Sequence, residues 1–158
     1  MIDILLNAKK IKYSSNLNVD SLKHKLEERF DQSPSTFVGS FINQNVFAAY
    51  DKWSVIAWYV PNFKRKSAYL KGEILKSEKG TLLNLSMKPN TMLSVGPILS
   101  LLFGIILIIA TNENTDNSRF LFIGLFFILI GVLYYAFGIY SRNRLQNNFD
   151  KNLDLQKV

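Results

Sequence analysis

Two long apolar runs constrain this chain more than any other feature. Met92–Ala110 (MLSVGPILSLLFGIILIIA) holds 19 residues and Phe120–Tyr140 (FLFIGLFFILIGVLYYAFGIY) holds 21, and neither contains a charge. At 1.5 Å per residue, helices of these lengths cover about 28–32 Å, the thickness of a hydrocarbon core. A helix lying on a soluble core keeps a polar stripe towards water, and neither run has one. The sequence therefore predicts a transmembrane helical hairpin over 91–141, with spans at 92–110 and 120–140 joined by the polar loop Thr111–Arg119.

Charge sets the expected orientation. Before the first span lie 14 Lys/Arg and 8 Asp/Glu, a balance of +6. The loop sets Arg119 against Glu113 and Asp116, a balance of −1. The tail over 142–158 sets Arg142, Arg144, Lys151 and Lys157 against Asp150 and Asp154, a balance of +2. Basic outer flanks around an acidic loop are the pattern of the positive-inside rule, which places both termini in the cytoplasm. The opening MIDILLNAKK has its lysines after a very short apolar run, the reverse of a secretory signal. Residues 1–90 are thus expected to form a cytoplasmic domain, with 142–158 as a basic cytoplasmic tail.

The first 90 residues predict an α+β fold. Ile2–Asn16 reads as an opening strand. Asn18 and Asp20 offer N-cap side chains, and Leu22, Leu26 and Phe30 recur every four residues, the stripe of a three-turn helix. From Phe37 the apolar period becomes two. Phe37–Ile42, the corner Asn43–Asn45 and the following VFAAYDKW read as a hairpin, and Ser54–Val60 as a further strand. Tyr69–Lys76 puts Leu70, Gly72 and Ile74 on one face, and Thr81–Lys88 alternates Leu83, Leu85 and Met87. A small antiparallel β-meander with one covering helix buries this pattern most simply. Only Lys88-Pro89-Asn90 separates its last strand from the first span, so the sheet is expected to sit against the lipid surface.

Within the hairpin, Gly96, Ser100 and Gly104 recur every four residues, and Gly124, Gly131 and Gly138 every seven. Small residues let helix backbones approach closely in lipid. These faces are expected to pack within one hairpin or to form a homodimer seam. Neither span holds an Asp, Glu, Lys, Arg or His side chain, which argues against an ion pathway or pump.

The chemistry outside the spans is sparse. There is no cysteine, and His24 is the one histidine, about 200° around the helix from Leu22 and so expected to face water. One histidine without convergent ligands makes no metal site, and no cofactor is implied. Glu27 and Glu28 diverge on their helix and cannot act as a pair. No nucleophile, phosphate-loop, dinucleotide or metalloprotease motif is present, so a non-enzymatic role is expected. Lys64, Arg65, Lys66 and Lys71, interleaved with Phe63 and Tyr69, form the one suggestive cluster, a candidate site for anionic lipid headgroups or an acidic partner. Nucleic acid is not expected, because no stacking platform or reading helix accompanies the charge.

Phe37–Gly104 resembles a group of uncharacterised bacterial inner-membrane proteins in which a small β-rich cytoplasmic domain precedes transmembrane helices. The similar pieces are Phe37–Gly39, Asn62-Phe63, Gly72–Ile74, Gly80-Thr81 and the junction Met87–Asn90, with Pro61 a departure from the group's arrangement. The resemblance implies a cytoplasmic domain fixed to the inner membrane and supplies no catalytic residues. The expected function is a membrane-anchored accessory protein that engages a protein partner or a further copy of itself. An anionic-lipid-binding or sensing module and a small immunity or defence protein are the alternatives.

Overall fold

The computed structural model describes residues 3, 6–31, 37–51, 66–78, 80–112, 118–153 and 156–157. In chain order the elements are β1 (Lys9–Ser15), α1 (Val19–Asp31), β2 (Phe37–Phe41), β3 (Val46–Asp51), β4 (Ala68–Ser77), β5 (Gly80–Pro89), α2 (Thr91–Asn112), α3 (Ser118–Leu153) and β6 (Gln156–Lys157). The expected α+β class holds. The expected strand Ser54–Val60 lies outside the described residues.

Local chemistry explains several boundaries. Asn18 caps α1, its Oδ1 accepting from the Ser21 amide at 2.7 Å. Asn43 closes the β2–β3 hairpin, its Oδ1 accepting from the amides of Asn45 and Val46 at 3.1 and 2.9 Å. The strands form one antiparallel sheet in the order β2-β3-β4-β5-β1-β6. β2 to β5 make a meander, and β1 pairs with the far edge of β5, Tyr13 opposite Leu83. Helix α1 therefore carries the chain across one face of the sheet, from the β1 side to the β2 edge.

That inner face holds the core. Alternation places Phe47, Ala49, Leu70, Ile74, Leu83, Leu85 and Met87 on it, all buried, and α1 lays Leu22, Leu26 and Phe30 against them. Two glycines make room for rings. A Cβ on Gly39 would come within 2.4 Å of Phe30, and one on Gly72 within 2.2 Å of Phe47.

One covering helix is not enough, and here the structure departs from expectation. Helix α3 does not end with the apolar run at Tyr140 but continues unbroken to Leu153. Leu145, Phe149 and Leu153 recur every four residues on this extension and are buried in the same core. The Phe149 ring stacks on Phe47 at 6.0 Å and meets Phe37 at 5.8 Å. Most of the segment expected as a basic tail is thus the second covering helix.

Helices α2 and α3 pack along each other as a hairpin, and both are long and apolar enough to cross a membrane, with mean hydropathies of 2.6 and 2.5 over their apolar windows. Only 22% and 11% of those windows are buried. Outside the seam between the helices, large side chains stand open on every side. Leu99 is 61% exposed, Ile106 61%, Phe122 70% and Phe126 59%.

Candidate functional site

Three features stand out beyond the core: the helix seam, the junction between hairpin and sheet, and the uncovered face of the sheet.

At the seam, Gly104 and Gly124 face each other. A Cβ on Gly104 would lie 2.7 Å from the Gly124 carbonyl oxygen, and one on Gly124 would lie 2.8 Å from that of Gly104. Gly131 sits over Leu101 and the Pro97 carbonyl, Gly138 over the Leu93 carbonyl. Ser100 Oγ donates to the Phe127 carbonyl at 2.7 Å. These five of the six expected packing residues work within one hairpin. Gly96 does not, since a Cβ there would find only Met92 of its own helix, at 4.0 Å.

The junction is tight and polar. Lys88 and Pro89 belong to β5, so the connection to α2 is the single residue Asn90, 3% exposed. Its Oδ1 accepts from the Met92 amide at 3.0 Å and its carbonyl from Leu93 and Ser94, while its amide donates to the Ser67 carbonyl and Nδ2 to the Lys66 carbonyl. One side chain thus caps the helix and ties it to the start of β4. Across the junction, Arg142 Nη1 donates to the carbonyl oxygen of Asn7 at 3.0 Å and to its Oδ1. Asn7 has φ 56°, a left-handed conformation that asparagine tolerates better than most residues. Higher on α3, Arg144 Nε lies 3.3 Å from Oδ2 of the buried Asp51. Tyr13 Oη donates to Asp150 Oδ1 at 2.5 Å, and Lys9 Nζ to Gln146 Oε1 at 3.0 Å. Burial, then the Asp150 hydrogen bond and negative charge, push Tyr13 ionisation well above its ordinary 10.0.

The outer face of the sheet is the candidate binding surface. No described helix covers it. The strand registers arrange its side chains in rows. Tyr50, Tyr69 and Lys88 form the row nearest α2; Ala48, Lys71, Ser86 and Lys10 the next; Val46, Glu73, Asn84 and Lys12 the third. Small residues in the middle leave two open depressions, of about 490 and about 360 Å³. Lys71 and Ser86 line both, which makes them one trough. Lys10, Lys12, Lys71 and Lys88 are all exposed and set against Glu73; Lys10 also reaches Asp3 at 3.1 Å on the rim.

Of the residues expected at a binding site, Lys64 and Arg65 lie outside the described residues. Lys66 stands at the foot of β4 with its ammonium 5.0 Å above the Tyr50 ring. Lys71 is in the trough. Lys10, Lys12 and Lys88 were missed. The signal for them was present in the alternation of each strand, which puts them opposite the apolar positions, but their meeting depends on β1 pairing with β5. His24 is exposed on α1, as expected. No group of three potential metal ligands occurs among the described residues. The trough offers ammonium groups, hydroxyls and an amide, with the Glu73 carboxylate towards the end away from α2. That is an inventory for holding an anion by charge and hydrogen bonding. The chain matches no family model, and no curated protein matches it in sequence.

Proposed function

We propose that this chain is a non-enzymatic, membrane-anchored accessory protein. Its α2–α3 hairpin crosses the bacterial inner membrane twice, both ends stay in the cytoplasm, and the sheet is held upright on the membrane to engage a partner. The observation that carries this reading is the continuity of α3, a single helix from the apolar hairpin into the core of the sheet domain. Large apolar side chains exposed all round a paired hairpin need lipid or protein around them. The basic outer flanks orient it. A protein partner is the first occupant to seek for the exposed flanks of the hairpin. Self-association through the seam glycines is disfavoured, because Gly104, Gly124, Gly131 and Gly138 are already used within the chain.

The lack of cysteine makes the topology directly testable. Single cysteines replace Glu113, between the two apolar runs, and Lys76 on the sheet, and intact cells are treated with an impermeant maleimide. Labelling of Glu113→Cys with protection of Lys76→Cys is the expected result. Labelling of Lys76→Cys, or recovery of the chain in the soluble fraction, removes the reading.

A further inference from the structure

We propose that the trough on the outer face of the sheet holds the phosphate-bearing headgroup of an anionic membrane lipid, admitted at the foot of the sheet where β5 becomes α2. The inference rests on the membrane-anchored reading above and adds a ligand to it.

Position comes first. The trough is floored by β4 and β5 and runs from Thr91, the first residue of α2, up to Asn84. At the rise of an extended chain this is about 20 Å, beginning at the level where the hairpin leaves the lipid. Its foot carries Tyr50, Tyr69, Lys66 and Lys88, residue types that settle at headgroup depth. A lipid can reach such a foot without leaving its leaflet.

Charge and size agree. Lys71 and Lys10 flank Ser86 on neighbouring strands, two strand spacings or about 10 Å apart at their Cα atoms. Once Lys10 turns from the exposed Asp3 carboxylate, two flexible ammonium groups can converge on an anion between them, with the Ser86 hydroxyl beneath as a further donor. Lys88 stands one row below, and Glu73 one row above repels a phosphate from the upper end. The anion is thereby placed near Ser86. The depressions have the volume of small-ligand sites.

Other occupants fit less well. A second copy would set lysines against lysines. An acidic polypeptide binding by strand addition needs a sheet edge, whereas the backbone groups of β4 and β5 are already paired on both sides.

The full-length chain in detergent, titrated with phosphatidylglycerol or phosphatidylcholine and followed by native mass spectrometry, tests the proposal. Wild type is expected to retain phosphatidylglycerol preferentially. The triple variant Lys10→Ala, Lys71→Ala, Lys88→Ala should lose that preference by at least about tenfold, since each basic group near anionic lipid counts. Lys23→Ala, Lys76→Ala, Lys151→Ala removes the same charge elsewhere and should hold within about twofold, if the effect is local rather than long-range. Ser86→Asp, a single change on the trough floor, should also abolish the preference and serves should the triple variant not fold. Equal losses in the two triple variants, or no loss with Ser86→Asp, overturn the proposal. So does displacement of the lipid by equimolar glycerol 3-phosphate, which marks a site for soluble phosphate esters, or by polyglutamate, which marks an acidic protein partner. Carbonate extraction separates the two readings. A chain that leaves the membrane refutes the anchor, whereas one that stays but shows no preference refutes the trough alone.

Discussion

Phe149 shows how much a single residue contributes here. It lies in a stretch of Arg, Asn, Gln and Asp, yet its ring is fully buried between Phe37 and Phe47. Phe149→Ala should cost about 3–5 kcal/mol, for lost transfer energy plus the cavity left behind. Chemical denaturation in detergent followed by far-UV circular dichroism measures it. Tyr13 gives a pH signature. Its ionisation is raised in the folded protein, so its contribution to stability is complete below the unfolded value of 10.0 and falls away as pH rises beyond it. Melting temperatures from pH 8 to 11 should therefore fall for wild type. Tyr13→Phe should melt lower at pH 8 and show a shallower decline. Two parallel curves would mean that the buried Tyr13 phenol is not the group that titrates.

At the scale of elements, the seam and the sheet differ in how openly the sequence declares them. Gly124→Leu should force α2 and α3 apart, because its side chain would meet the Gly104 carbonyl and Ile108. The expected result is a drop of several degrees in melting temperature in detergent. Gly96→Leu, with open space around it, should leave the melting temperature unchanged, although both glycines sit in equally regular patterns. Regular spacing names candidate faces, and only the rotation of one helix against the other decides which face is used. Helix α1, the hairpin turn at Asn43, strands β4 and β5 and both apolar helices were legible because each rests on a local period or a capping side chain. The pairing of β1 with β5 was not, since the meander leaves both sheet edges open to it. Nor was the continuation of α3, where Leu145, Phe149 and Leu153 are three apolar positions diluted by charged and amide neighbours. The candidate binding face was half legible. Lys71 was visible beside its basic neighbours, whereas Lys10, Lys12 and Lys88 join it only through strand register.

For the whole molecule, the division at residue 90 does not separate two independent folding units. Leu145, Phe149 and Leu153 each contribute about 2–3 kcal/mol by burial. Together that is comparable with the entire 5–15 kcal/mol by which a small domain is stable. A fragment of residues 1–90 should therefore lack a cooperative unfolding transition, and so should a chain truncated after Ser141, which keeps both apolar runs. Protease resistance of the sheet region in membranes checks the second case. A truncated chain as resistant as the full one would show that the sheet stands without α3.

The chain's first strands thus depend on its last helix, which imposes an order of events during synthesis. A ribosome delivers β1 to β5 long before Leu145 emerges, and in the meantime those strands have a hydrophobic side with only α1 to shield it. Both apolar runs are made before the final turns of α3 can close that side. A molecule that stops short of Leu145 keeps an unfinished, sticky sheet that chaperones and proteases can recognise.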